Sequence, residues 1–167
     1  MKFFSAASAA LALAQSGLVA AQALLGTPEI EFLYTANISL GTPWAIGDVG
    51  LGSIQVLPII SGVFEGPKIK GNISHLGADW LHTDIYNVSL PDTRYNLRTD
   101  DGADIFIRTS GASIEDGRYV LRGVFQTGHE DYRWLNYIIT YGTLWIYPTP
   151  DDFRIQIDMW QVSRIKA

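Results

Sequence analysis

The stretch from Ser53 to Ser74 decides the fold and reads SIQVLPIISGVFEGPKIKGNIS. Its first half, Ser53 to Phe64, is a long apolar strand, and Pro58 inside it predicts an edge or a bulge because proline cannot donate a ladder hydrogen bond. Gly66-Pro67 then marks a turn. After the turn the residues alternate between two faces of a strand, with Lys68, Lys70, Asn72 and Ser74 on one and Ile69, Gly71 and Ile73 on the other.

The same pattern of short strands and turn residues continues on both sides of this stretch. Upstream, Phe32, Tyr34, Ala36 and Ile38 are expected to point inward, and they alternate with Glu31, Leu33, Thr35 and Asn37. Downstream, Asn87 and Asp101-Gly102 mark turns. We therefore predict an all-β, single-domain antiparallel β-barrel of about nine or ten strands, with a short helical turn near residues 130–136. A β-sandwich is the alternative, since periodicity does not separate the two architectures.

The composition limits the classes of function. A chain of 167 residues suits one domain, and its 47% hydrophobic content excludes disorder as the main state. The formal net charge of -5 argues against nucleic acid and against an anionic membrane surface as partners. The chain has no cysteine, so disulfides, zinc–thiolate sites and catalytic thiols are excluded.

The N-terminus resembles a secretory leader. Met1-Lys2 precedes an apolar run that ends in small residues, which predicts a signal peptide over residues 1–21, cleaved after Ala21 or Ala23. A single barrel domain is then expected over residues 24–167, in a secreted or lumenal protein with no integral membrane segment after cleavage. Three sequons, at Asn37, Asn72 and Asn87, predict N-glycosylation and agree with this route.

Four segments in a fixed order resemble one protein family. They are Gly62–Gly71 (GVFEGPKIKG), Gly77–Trp80 (GADW), Asp92–Ala103 (DTRYNLRTDDGA), and Phe125–Gly128 followed by Tyr132–Asn136 (FQTG and YRWLN). Together they are similar to the family called domain of unknown function 3237, over about Glu29 to Val162. The resemblance implies a small β-barrel. Secreted members with a short loop at residues 111–116 resemble enzymes of fungal secondary metabolism, some of which are thought to control hetero-Diels–Alder reactions of tropolone-type quinone methides with terpenes.

Candidate catalytic residues come from these segments. Asp79, in an apolar cavity, would have a raised pKa and act as a general acid; its alternative is a strand-end residue accepting backbone hydrogen bonds. Arg94, Tyr95 or Asn136 would donate a hydrogen bond to a ligand carbonyl. Arg94 and Tyr95 lie on opposite faces of one strand, so only one of them is expected in the cavity. A buried Arg94 would need Asp79 or Asp101 as its partner.

Candidate substrate-binding residues are Trp80, Asp101 and Trp134, each with a structural alternative: Asp101 in a tight turn and Trp134 in a plug of the barrel. We expect these three residues to converge with Asp79, Arg94, Tyr95 and Asn136 on one barrel mouth. His75, His82 and His129 are dispersed, so no metal site is predicted. No phosphate loop, dinucleotide fingerprint or nucleophile elbow is present, so no cofactor is predicted.

Two functions of different classes fit this inventory. The first is a cofactor-free cyclase of the Diels–Alderase type that acts on a hydrophobic small molecule, since a cycloaddition needs orientation and hydrogen bonds but no nucleophile. The second is a lipocalin-like protein that binds such a molecule without turnover. Apolar strands and barrel edges also allow a homodimer.

Overall fold

The computed structural model describes residues 28–114, 117–148 and 153–162. The predicted signal peptide and its cleavage site lie outside these residues. The described residues form ten strands and one 3₁₀ helix: β1 (Ile30–Leu40), β2 (Trp44–Asp48), β3 (Gly52–Glu65), β4 (Lys70–Asp84), β5 (Ser89–Leu90), β6 (Asp92–Thr99), β7 (Asp104–Ser113), β8 (Arg118–Gln126), the helix (Glu130–Tyr137), β9 (Ile139–Pro148) and β10 (Phe153–Val162).

Eight of the strands close into an antiparallel barrel. The sheet runs β3-β1-β10-β9-β8-β7-β6-β4, and β4 pairs with β3 to complete the ring. The two short strands extend the sheet, β2 along the start of β3 and β5 along the end of β4. The predicted barrel is therefore confirmed, and the sandwich is excluded because the sheet closes on itself.

On one of its edges the long strand β3 pairs first with β2 and then with β1, because it is irregular at its middle. Its first part pairs with β2, from Ser53 to Val56, and its last part pairs with β1, from Ile59 to Glu65. The register with β4 shifts between Pro58 and Gly62, where the sequence predicted a bulge. The change of partner lets one strand belong both to the barrel and to the extension beyond it.

The inward face of β1 agrees with the predicted alternation except at its start. Tyr34, Ala36 and Ile38 are buried, while Asn37 is exposed on the outer face. Phe32, which the alternation placed inside, is instead exposed and packs edge-on against Trp160 at 6.1 Å between ring centroids. The reason is a register shift between Phe32 and Tyr34, which moves every earlier residue of the strand to the other face.

The two ends of the barrel differ. At one end, called the plugged end, the 3₁₀ helix carries Leu135 into the core at 1% exposure, and Tyr132 and Trp134 pack beside it. This confirms the short helical turn expected near residues 130–136. The other end, called the open end, lies where β4 finishes and β6 begins. None of the helices that the structure describes has the length and apolarity to cross a bilayer.

Candidate active site

The open end of the barrel contains a cavity of about 380 Å³. This volume is within the range of small-molecule sites. Strands β1, β3, β4, β5, β8, β9 and β10 contribute residues to its wall, and most of the lining side chains are apolar. The lining residues are Leu40, Pro43, Gln55, Leu57, Asp79, Leu81, Ser89, Pro91, Tyr119, Leu144, Ile146, Phe153 and Ile155.

Asp79 reaches the cavity because of its position in the alternation of β4. Leu81, two residues later on the same face, also lines the cavity, whereas Trp80 between them is exposed on the outer wall. In the sheet, Asp79 lies opposite Leu57 of β3 and opposite Thr93 of β6. Among the described residues that line the cavity it is the only acid. The carboxyl group therefore faces the cavity and also accepts a backbone hydrogen bond, as in the structural alternative, so its role as an acid stays a prediction.

The surroundings of Asp79 favour its neutral form. Burial raises the pKa of its carboxyl to about 6, because a charge loses solvation in the apolar cavity. Two hydrogen bonds act in the opposite direction: Oδ1 accepts the backbone N–H of Asp92 at 2.9 Å, and Thr93 contributes a side-chain bond. The negative charge of Asp92 again raises the pKa. The result is a carboxyl group that holds or releases a proton near neutral pH.

Three other polar side chains line the cavity and were not predicted. Gln55 of β3 and Tyr119 of β8 line it from opposite sides of the ring of strands, and Ser89 lines it from β5. The Ser89 hydroxyl is 3.3 Å from that of Thr83, and its N–H donates to the Ser113 hydroxyl at 2.9 Å. The sequence could have indicated Gln55 as a lining residue, because it shares the inward register of Leu57 in an otherwise apolar strand. Nothing in the sequence distinguishes Tyr119 from the other tyrosines.

Arg94 and Trp80 lie on the outer wall of the barrel, so, contrary to expectation, they do not join Asp79 at the cavity mouth. The Arg94 guanidinium is 5.6 Å from the centre of the Trp80 ring, and its Nη2 is 3.2 Å from Asp92 Oδ2. Arg108 also contacts Asp92, with Nε 3.0 Å from Oδ1. Strict alternation explains the difference: the neighbour of Arg94, Tyr95, takes the inward position, and Asp92 supplies the carboxylate partner from the same outer face.

Tyr95 is buried in the barrel below the cavity. It follows Thr93 by two residues on the inward face of β6, and β6 runs from the open end towards the plugged end. Its hydroxyl is enclosed, and it has no hydrogen-bond partner within the part of the chain that the structure describes. Of the two predicted alternatives on this strand, Tyr95 is therefore the inward residue.

The remaining predicted site residues, Asp101, Asn136 and Trp134, lie at the plugged end and make contacts within it. Asp101 accepts hydrogen bonds from the Thr99 hydroxyl and, at 2.8 Å, from the Tyr132 hydroxyl. These two bonds lower the pKa of Asp101. Asn136 binds the backbone of Thr127 twice, accepting its N–H at 2.8 Å and donating to its carbonyl at 3.0 Å.

Trp134 completes the plugged end, with Lys68 Nζ 5.7 Å from its ring centre. The expected convergence of seven residues on one mouth is therefore wrong. Asp79 lines the cavity, Tyr95 lies below it, Trp80 and Arg94 are outside, and Asp101, Trp134 and Asn136 are at the opposite end. The cause is that the segment Asp92–Ala103 contains the whole of β6, which spans the barrel from one end to the other.

The histidines do not form a metal site in the described structure. In residues 28–114, 117–148 and 153–162, no three His, Asp or Glu side chains come close enough together to hold an ion. His129 approaches Asp131, with Nδ1 4.0 Å from Oδ2, and stacks at a tilt on Tyr132. Independence of metal remains a prediction.

Comparison with known proteins places this barrel among similar chains. Residues 28–119 match the family described as "Protein of unknown function (DUF3237)". The hydroalkoxylation enzyme phnH of Penicillium herquei is 32% identical over 138 residues, covering 81% of this chain and 85% of that protein. A UPF0311 protein of Rhodopseudomonas palustris is 26% identical over 153 residues, covering 81% and 97%. The crystal structure of a β-barrel-like protein from Acinetobacter baumannii matches with a TM-score of 0.73 and 27% identity, covering 83% and 98%.

Proposed function

This chain belongs to the family described as protein of unknown function (DUF3237), and we propose that it is a cofactor-independent enzyme that closes a ring in a hydrophobic small molecule. The observation that carries the proposal is the Asp79 carboxyl, held near a pKa of about 6 in an apolar cavity of about 380 Å³. The similarity to a hydroalkoxylation enzyme supports an enzymatic function for this barrel and suggests the type of reaction.

The reaction we propose is the addition of an O–H group across a carbon–carbon double bond of the same molecule. Asp79 Oδ1 accepts the N–H of Asp92, so we assign the proton to Oδ2. The Oδ2–H group gives its proton to one alkene carbon, and the ligand oxygen forms a bond to the other. The proton of that oxygen returns to Oδ2. One π bond and one O–H bond are lost, one C–H and one C–O bond form, and Asp79 is regenerated.

The cavity would contribute orientation as well as the proton. Apolar walls such as Leu57, Leu81 and Ile155 exclude water, which would otherwise capture a carbocation in place of the intramolecular oxygen. Holding the oxygen next to the alkene also removes part of the entropic cost of ring closure. The exclusion of water and the orientation of the ligand both depend on the shape of the cavity and not on further charged groups.

A second candidate is the hetero-Diels–Alder reaction expected from the sequence. The largely apolar lining favours it, because a cycloaddition requires two reactants to be held face to face and no net proton transfer. In that reaction Asp79 would at most polarise a carbonyl. The remaining alternative, a protein that carries an apolar ligand without turnover, needs the cavity but not the acid.

An isotope experiment separates the three possibilities. We would incubate the protein with 2-(3-methylbut-2-enyl)phenol, which carries an O–H group and an alkene and forms a tertiary cation on protonation, in D₂O at pD 6. The proposed reaction gives a cyclic ether with one carbon-bound deuterium. The hetero-Diels–Alder reaction needs a heterodiene, so it is tested with an o-quinone methide and an alkene: faster formation of the dihydropyran, without carbon-bound deuterium, would indicate the pericyclic route. Binding without any product, for this phenol and for a set of ring-substituted homologues, would indicate carriage and overturn the proposal.

A further inference from the structure

Gln55 is the uncharged polar side chain whose strand register brings it nearest to Asp79. Leu57 of β3 lies opposite Asp79 of β4, and Gln55 lies opposite Leu81. All four residues line the cavity, so they share the inner face of the barrel. Gln55 and Asp79 are therefore diagonal neighbours on adjacent strands, at a separation of about 7–8 Å that is within the reach of long side chains.

The other two uncharged polar side chains of the cavity are farther from Asp79 or already engaged. Strand β8, which carries Tyr119, is separated from β4 by β7 and β6 in the ring. Ser89 lies opposite Thr83 in the pairing of β5 with β4, and their hydroxyl oxygens are 3.3 Å apart. Among the described residues that line the cavity, Gln55 is therefore the uncharged group best placed to contact a ligand atom beside Asp79.

The Gln55 carboxamide has its hydrogen-bonding capacity available for a ligand. The side chain is partly exposed at the cavity wall, and within the described part of the chain it makes no hydrogen bond. An amide offers two N–H donors and one acceptor oxygen and carries no charge. A charged residue at this position would change the pKa of Asp79, whereas the amide can bind a ligand oxygen without adding a charge beside the acid.

We propose that Gln55 Nε2 donates a hydrogen bond to the hydroxyl oxygen of the ligand and holds that oxygen beside Asp79. Donation to one lone pair leaves the second lone pair free to bond to the alkene and leaves the O–H group free to point at the carboxyl. Because Gln55 and Asp79 are diagonal neighbours, the ligand class is a hydrophobic alcohol or phenol with its O–H group only a few bonds from an alkene. As an account of the reaction this rests on the proposed function, whereas the binding of the oxygen does not.

Two ligands that differ by one oxygen test this contact: 2-(3-methylbut-2-enyl)phenol and (3-methylbut-2-enyl)benzene. The substitution Gln55→Met keeps the length of the side chain and removes its N–H donors. By calorimetry we expect Gln55→Met to weaken binding of the phenol about three- to tenfold and to leave the dissociation constant of the hydrocarbon within about twofold of its natural value. A merely structural role would not give this difference, because a change in the shape of the cavity weakens the binding of both ligands.

Controls separate this test from that of the proposed function. Gln126→Met alters an exposed glutamine on the outer wall and should leave both affinities unchanged. If the natural protein turns the phenol over, Gln55→Met should raise KM while Asp79→Asn lowers kcat; without turnover, the selective loss of phenol binding should still be observed. Equal weakening of both ligands in Gln55→Met, no weakening of either, a selective loss in Tyr119→Phe instead, or no binding by the natural protein would overturn the role of Gln55.

Discussion

The raised pKa of Asp79 makes stability depend on pH in a definite direction. Its carboxyl binds a proton more tightly in the folded state, with a pKa of about 6, than at its ordinary value of 3.8. The free energy of unfolding therefore falls as pH rises through this interval and then levels off. We expect this loss to be at most about 3 kcal/mol. Urea titrations at pH 4, 5, 6 and 7 would measure it.

The Asp79→Asn variant isolates this contribution, because its amide oxygen can still accept the N–H of Asp92 but cannot ionise. Its free energy of unfolding should lack the decrease between pH 4 and 6, so the variant is more stable than the natural protein at pH 7. If the free energy of unfolding changed with pH in the same way in both proteins, Asp79 would have an ordinary pKa, and burial in the cavity would not disfavour its charged form.

Arg94 is expected to matter little for catalysis because it is outside the barrel. Its ion pair with Asp92 and its contact with Trp80 are both partly exposed, and such contacts contribute up to about 1 kcal/mol each. Arg94→Ala should lower the free energy of unfolding by no more than about 2 kcal/mol and change the rate less than about threefold. A hundredfold loss of rate, measured beside Arg98→Ala as an exposed control, would place Arg94 in the site after all.

Among the secondary-structure elements, the 3₁₀ helix is expected to contribute to the stability of the fold and not to ligand binding. Leu135 is buried at 1% exposure, and truncating a buried leucine costs about 2–5 kcal/mol. Leu135→Ala should show this loss in urea unfolding, while Tyr137→Ala, at an exposed position of the same helix, changes little. The affinity for 2-(3-methylbut-2-enyl)phenol at 25 °C should remain within about threefold in both variants, since the cavity is at the other end. A loss of affinity in folded Leu135→Ala would connect the helix to the site.

The strands show how far local patterns predict this fold. Alternation gave the correct faces for Lys70 to Ile73 and for Tyr34 to Ile38, because a buried side of a strand requires apolar residues at every second position. It failed at Phe32 because a single extra residue in β1 reverses the faces, and no turn residue announces it. The bulge at Pro58 was predictable because proline has no N–H to donate.

The placement of site residues was less predictable than the strands. A segment such as Asp92–Ala103 looks like one functional unit in sequence, yet it crosses the barrel from Asp92 at the open end to Asp101 at the plugged end. Which strand ends meet depends on the pairing of β3 with β4 and on the stagger of the whole sheet, and neither is visible in a local pattern. Asp79 was among the candidates because it belongs to the segment Gly77–Trp80, and only the structure shows that its position on β4 faces the cavity.

For the molecule as a whole, the predicted secretory route implies glycans on the outer wall. Asn37 and Asn72 are exposed and lie on either side of Val63 in adjacent strands, and Asn87 is exposed in the turn between β4 and β5. If the leader is cleaved after Ala21 or Ala23, intact-mass analysis of secreted protein should show a mass that falls on glycosidase treatment. An unchanged mass, or retention of residues 1–21, would contradict the route.

The most direct test of the central claim is the turnover of Asp79→Asn with 2-(3-methylbut-2-enyl)phenol at pH 6. Loss of a general acid typically costs about 10²- to 10⁴-fold in rate, so we expect turnover to fall by that amount while the affinity for the phenol stays within about threefold. The matched control is Asp104→Asn, which removes an exposed carboxylate paired with Arg98 at 2.9 Å and should keep the natural rate. Turnover of Asp79→Asn within threefold of the natural protein would contradict the role of Asp79 as the proton donor.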